Sequence, residues 1–179
     1  MTASARFSTG AGRVFSTGAD LTGRGSARKD AHTPLGMRIS TFGFSRMVNA
    51  IWALEKPVVC AVNGAAAGAG CNLALSCDLV MAADTAKFIQ VFVRRGLIPD
   101  GGGTYILPRL VGLPRAKQLM MLGEDLPAAQ ALAMGLIYNV VPAEKLMEEA
   151  MALAQRLACG PTRAIGMTKS MLKMRESFE

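Results

Sequence analysis

Histidine is almost absent. His32 is the only one among 179 residues, and it lies in a polar, glycine-bearing stretch. That argues against a Ser-His-Asp triad, a Cys-His dyad and a histidine-based metal site. Aromatic residues are scarce too, with Trp52, two tyrosines and seven phenylalanines. They do not interleave with the basic clusters at Arg24 to Lys29, Arg94-Arg95, Arg109 to Lys117 and Arg163 to Arg175. The net charge of +7 therefore does not read as a nucleic-acid surface. It suits a phosphorylated small ligand or a solvated basic surface. No apolar run reaches the ~20 residues of a membrane span. The start, MTASARFSTG, lacks the charged segment and apolar core of a secretory signal. None of Cys60, Cys71, Cys77 and Cys159 forms a C-x-x-C pair, and all sit in apolar patterns. We expect them to be reduced core thiols of a cytosolic protein. Nucleotide motifs fail as well. Leu73 stands where the last glycine of G-x-G-x-x-G would follow Gly68 and Gly70, and no G-K-[ST] follows a glycine run.

What is present is organised around Lys56 to Phe88. The length, with 51% apolar residues, suits one domain with a sizeable core. Val58-Val59-Cys60-Ala61-Val62 is a short, β-branched run between Pro57 and Asn63-Gly64, which predicts a fully buried strand. Gly64, Gly68 and Gly70, with alanines between them, leave little bulk on the connection that follows. Cys71 to Cys77 reads as a buried helix, and Asp78 to Ala83 as the next strand. A helix start carries unpaired N–H groups and the positive dipole end. Bare backbone there lets another molecule approach closely, so a peptide N–H could hold a carbonyl oxygen that is gaining charge. Tight strand-to-helix packing would ask for the same small residues.

Around that stretch the chain alternates. Residues 1–14 show little pattern. Gly10-Ala11-Gly12 and Thr17-Gly18-Ala19 look like close-approach turns, and residues 22–41 read as a loop, as suited to a lid as to a surface excursion. Phe44, Met47, Val48, Ile51 and Leu54 mark a helix over 42–55. Phe88 to Val93 could be a strand or a short helix. Asp100 precedes Gly101-Gly102-Gly103-Thr104, which opens a helix through Leu110. It could be the N-cap of that helix or a carboxylate poised by burial. Two short helices follow over 114–134, with Pro114 and Pro127 at first positions. Then come a strand over 136–141, an amphipathic helix over 143–158 with Leu146, Ala150, Leu153 and Leu157 on its stripe, and a basic helix with Ile165, Thr168, Met171 and Leu172 that runs towards the end.

Three segments together resemble the crotonase superfamily, the enoyl-CoA hydratase/isomerase family. They are Gly12 to Leu21 (GRVFSTGADL), Lys56 through Asp78, and Gly96 to Thr104 (GLIPDGGGT) with Leu107-Pro108-Arg109. Their order and spacing, from about residue 10 to the end, carry the resemblance. The third looks most like the branch of the ring-epoxide isomerase of phenylacetate breakdown and the 3-enoyl-CoA isomerases.

The resemblance implies an α/β fold, a spiral of ββα units over 1–142 followed by a helical segment of the same domain over 143–179. It also implies a trimer or a dimer of trimers, and an acyl-CoA thioester substrate. It places the oxyanion-holding peptide N–H groups at Ala19 and Ala69, and the acid/base carboxylate at Asp100. Gly18, Asp20, Leu21, Gly68, Asn72, Phe92, Pro99 and Gly101 would line the substrate. The two glutamates of typical hydratases fall at Asn72 and Phe92, neither of which can act as a base. Asn72 could still orient substrate or water. No metal or redox cofactor is implied, since coenzyme A arrives with the substrate. Measured against the family the chain is short at both ends, which leads us to expect a fragment or a shortened relative. The rival expectations are a 2-enoyl-CoA hydratase of fatty-acid β-oxidation and a catalytically silent acyl-CoA-binding member.

Overall fold

The computed structural model describes residues 5–19 and 34–174. Its strands are β1 (Arg6–Thr9), β2 (Val14–Ser16), β3 (Val58–Val62), β4 (Ala65–Ala67), β5 (Leu79–Ala83), β6 (Lys87–Ile89), β7 (Asp125–Pro127) and β8 (Asn139–Val141). Its helices are α1 (Pro34–Ala53), α2 (Ala69–Leu75), α3 (Gly103–Val111), α4 (Leu113–Leu122), α5 (Ala128–Ala133), α6 (Leu146–Ala158) and α7 (Thr162–Met174). Short 3₁₀ turns cover Val91–Arg95 and Ala143–Lys145.

From β1 to β6, successive strands alternate between two sheets. One has the order β1-β3-β5-β8 and is parallel throughout. The other has the order β2-β4-β6-β7, parallel except for the last pair. Each of the first three pairs of strands is followed by helix, so this part of the chain winds as repeated ββα units. All five residues of β3 are buried, as its unbroken apolar run predicts for a parallel strand covered on both faces.

The corner between β3 and β4 is set by two residues. The Asn63 Oδ1 accepts from the Gly10 N–H at 3.2 Å, and its Nδ2 donates to the Gly12 carbonyl at 2.8 Å. One amide thus stacks this corner on the equivalent corner of the preceding unit. Gly64 follows because a β-carbon there would collide with the Arg13 carbonyl.

Several sequence expectations need correction. Pro34 to Thr41, expected in a loop, begins α1, with Pro34 at the first helical position where its missing N–H is no loss. Residues 22–33 lie outside the described residues, and so does His32. Phe88 to Val93 is both alternatives in turn, the end of β6 and then a 3₁₀ turn. Pro127 precedes α5 rather than opening it. The strand expected from residue 136 starts at Asn139, although Leu136 and Ile137 are buried. On α7, Met171 and Leu172 are 66% and 65% exposed, while Gly166 and Lys169 face inward. The helix lies so close to the linker after α1 that a β-carbon at Gly166 would stand 2.8 Å from the Glu55 carbonyl oxygen. Cys60, Cys71 and Cys77 are buried free thiols, but Cys159 is exposed at the end of α6.

Candidate active site

The two glycine-rich turns meet. Gly18 follows β2 at φ +88°, and a β-carbon on it would stand 3.1 Å from the Ala67 carbonyl oxygen and 3.3 Å from the Ala69 nitrogen. The peptide leading into Ala19 is thereby set against the start of α2. The Gly18 N–H donates to the Ser16 Oγ at 3.3 Å. Ser16 also abuts α2, where a β-carbon at Gly70 would stand 2.5 Å from that Oγ.

At the other turn Gly68 has φ +54° and precedes α2 without a side-chain cap. Its own N–H is spent on the Ile89 carbonyl at 2.9 Å. Ala69 opens the helix, so its N–H has no acceptor within α2. Phe92 is buried, and its ring approaches the Gly68 β-carbon position at 3.7 Å. An apolar wall thus flanks this turn.

Asp100 sits one helical turn along from Ala69. Asn72, three residues on and buried to 1% exposure, donates from its Nδ2 to the Asp100 carbonyl at 2.8 Å. That carbonyl also accepts from the Gly103 N–H at 2.9 Å, closing a turn whose central residues Gly101 and Gly102 have φ +53° and +75°. Two adjacent positive φ values are what a type I′ turn requires, and glycine adopts them without strain. The turn is gripped from two sides. A β-carbon at Gly101 would run into the Phe44 ring of α1, and one at Gly103 would stand 2.5 Å from the Asn72 Nδ2.

The cap of α3 is Gly102, with no side-chain hydrogen bond, so Asp100 does not cap it. Its Oδ1 is buried and finds no hydrogen-bond partner among the described residues. Loss of water around the carboxyl holds its pKa above the ordinary 3.8, opposed by its own backbone N–H. This is the environment in which a carboxylate keeps proton affinity nearer neutrality.

Both ends of the Asn72 amide bond to protein groups. Besides the bond to Asp100, its Oδ1 accepts from the Gln90 Nε2 at 2.9 Å. Sequence reasoning passed over Gln90, although a lone amide in the apolar run Phe88 to Val93 was a visible signal. It passed over Ser16 as well. Pro99 is half-buried before Asp100, and Ile98 is 86% exposed. Asp20 and Leu21 lie outside the described residues. Among the described residues no group of three or more His, Cys, Asp or Glu could hold a metal ion, and no helix is long and apolar enough to cross a membrane. A cavity of about 380 Å³ opens at the far end of α2, beside Leu75, Ser76 and Asp78, and none of the site residues lines it.

Known proteins are similar to this chain in sequence and in fold. The profile of the enoyl-CoA hydratase/isomerase family matches residues 7–178. The chain is 46% identical to the 1,2-epoxyphenylacetyl-CoA isomerase of Escherichia coli (strain K12) over 169 residues, 94% of this chain and 64% of that protein. It is 43% identical to a probable enoyl-CoA hydratase of Rhodobacter capsulatus, over 90% of this chain and 61% of that one. The crystal structure of a putative enoyl-CoA hydratase from Streptomyces coelicolor A3(2) superposes with a TM-score of 0.90 at 34% identity, covering 98% of this chain and 64% of the other. The chain thus spans a little under two thirds of the length of these relatives. Its two-sheet winding is the crotonase fold, and the chain belongs to the enoyl-CoA hydratase/isomerase family.

Proposed function

We propose that this chain carries the catalytic centre of an isomerase acting on acyl-CoA thioesters. The N–H groups of Ala19 and Ala69 hold the thioester oxygen as it becomes an enolate oxygen. Preorganised donors aimed at developing charge lower the barrier more than any rearranging solvent could. They acidify the carbon next to the carbonyl. Asp100 then takes a proton from C2 of a 3-enoyl thioester and returns it to C4, and the double bond moves from C3=C4 to C2=C3. The proton is conserved and one carboxylate suffices.

The observation that carries this reading is the Asp100 carboxyl, with a buried oxygen that finds no hydrogen-bond partner among the described residues and a pKa raised by burial. Asn72 and Phe92 support it from the other side. An amide bonded to protein partners and an apolar ring put no carboxylate at either of these two positions to activate water for a hydratase. The identity to an isomerase favours the same direction. Coenzyme A enters as part of the substrate, with no further cofactor in this scheme. A trimer, or a dimer of trimers, is the assembly we expect, and sedimentation equilibrium would give its mass.

Turnover of a 3-enoyl-CoA by the wild type and by Asp100→Asn tests the mechanism. The substitution is expected to lower kcat by about 100- to 10,000-fold, the range of a lost general acid/base, with acyl-CoA binding retained. Equal rates would remove Asp100 from the chemistry. Water addition to crotonyl-CoA by the wild type would favour the hydratase. Acyl-CoA binding without either reaction would mark a silent member of the family.

A further inference from the structure

The grip on Asp100 has a logic of donors and acceptors that reaches one residue further out. A carbonyl can only accept, so the group of Asn72 facing Asp100 must be its Nδ2. The Asn72 Oδ1 is then turned inward and needs a donor in a buried place. Gln90, 4% exposed, supplies it from Nε2 at 2.9 Å, and the same nitrogen lies 3.5 Å from the Cys71 sulfur. The Gln90 Oε1 is buried with no hydrogen-bond partner among the described residues. A glutamine that leaves half its amide unsatisfied in the core is a poor space-filler, because an apolar side chain of that volume would fit at no such penalty. What the amide does achieve is to fix which way Asn72 points.

The alternative state is close by. Asp100 stands just ahead of α3, whose first N–H groups have no side-chain cap. An aspartate so placed turns readily onto a helix start. A carboxylate at position 72 could not prevent it, since an ionised carboxylate has nothing to donate to the Asp100 carbonyl.

We propose that Gln90 is a positioning residue for Asp100, acting through Asn72, so that the Asp100 carboxyl stays off the N-terminus of α3 and free to exchange a proton. The proposal rests on the reading of Asp100 as the proton carrier. It assigns Asn72 to the same device, with no direct contact to substrate.

Gln90→Met keeps the volume and removes the donor. Thermal stability should hold, KM should stay within about twofold, and kcat should fall about tenfold, the scale of coupling between groups in one network. Asn72→Leu breaks the grip directly and should cost at least as much in kcat. It also reads the same contact should Gln90→Met not fold. The double variant should be no slower than Asn72→Leu alone, because Gln90 has nothing left to orient. A multiplicative loss, or an unchanged kcat in Gln90→Met, would overturn the proposal.

A second readout needs no turnover. The ¹³C resonance of the Asp100 carboxyl should titrate at lower pH in Gln90→Met, once the group can reach the α3 N–H donors. An unmoved midpoint overturns the positioning role. A midpoint moved in Gln90→Met, together with a wild type that turns nothing over, would instead refute the catalytic reading and leave the positioning in place.

Discussion

At the scale of single residues, the site depends on positions with no side chain. Gly18 is held at φ +88° with its α-carbon pressed to the start of α2. A side chain there would meet both the left-handed backbone penalty of about 1–2 kcal/mol and a contact of 3.1 Å to the Ala67 carbonyl. The backbone would yield, and what yields is the peptide into Ala19. Gly18→Ala is therefore expected to lower stability by about 1–2 kcal/mol in urea unfolding. Its kcat should fall by at least about tenfold, because an oxyanion donor displaced by even a fraction of an ångström loses most of its worth. Loss of stability with an unchanged kcat would show that this peptide does not touch the reacting oxygen. Asn63 shows the opposite use of a residue. Its side chain bonds to two backbone groups of the preceding unit, and so sets the corner from which β4 and then Gly68 depart.

At the scale of elements, α1 connects the ends of the molecule. Its Phe44 and Val48 press on the Asp100 turn, and near its C-terminus the Ile51 carbonyl accepts from the Lys169 Nζ of α7 at 3.2 Å. The same ammonium donates to the Lys56 carbonyl at 3.2 Å and pairs with the Asp78 Oδ2 at 2.6 Å. Asp78 in turn accepts from the Val58 N–H at 2.8 Å. Three donors meet three acceptors, which is why a lysine only 8% exposed is tolerated. Such a pair adds little stability over an apolar pair of equal volume, but breaking it is expensive. Lys169→Met is expected to cost about 3 kcal/mol, the low end of the range for a broken buried pair, because the Asp78 side chain keeps 27% exposure. Adding Asp78→Asn should recover part of the loss. Denaturant midpoints of the two variants measure both numbers, and a single variant as stable as the wild type would show the pair to be idle.

For the molecule as a whole, the Asp100 carboxyl links stability to pH. Burial raises its folded-state pKa above the ordinary 3.8, so between that value and the folded value the native state binds the proton more tightly than the unfolded chain. The stability it contributes is present in full below the unfolded pKa and is lost as pH rises through the folded one. Asp100→Asn removes this loss. The variant should melt higher than the wild type at neutral pH, and the difference should vanish as pH falls below the ordinary carboxylate range. Melting curves across pH 3 to 8 check it. A substitution that stops turnover would then raise stability, the usual relation where function keeps a group in a costly environment.

Much of this was legible in the chain itself. The burial of Val58 to Val62 and the bareness of Gly64 to Gly70 each follow from the residues in that place, whereas Gly101 and Gly102, expected to open α3, form a turn before it. A β-branched run has few ways to avoid water except burial, and only glycine passes easily into positive φ. The three-residue strands β4 and β7 were not legible, because Ala-Ala-Ala and Asp-Leu-Pro carry no strand pattern of their own. They exist by pairing with β2 and β6. Nor could the sequence show which polar groups pay each other's desolvation. Lys169 looked like one more surface cation and Gln90 like a blemish in an apolar run. Their partners lie 91 and 18 residues away, and Asn72 meets Asp100 across 28. The burial of a β-branched run and the positive φ of a glycine depend on the residue and its chain neighbours, so the sequence alone determined them. The satisfaction of a buried polar group depends on which distant segment the fold brings beside it, and that only the tertiary structure decided.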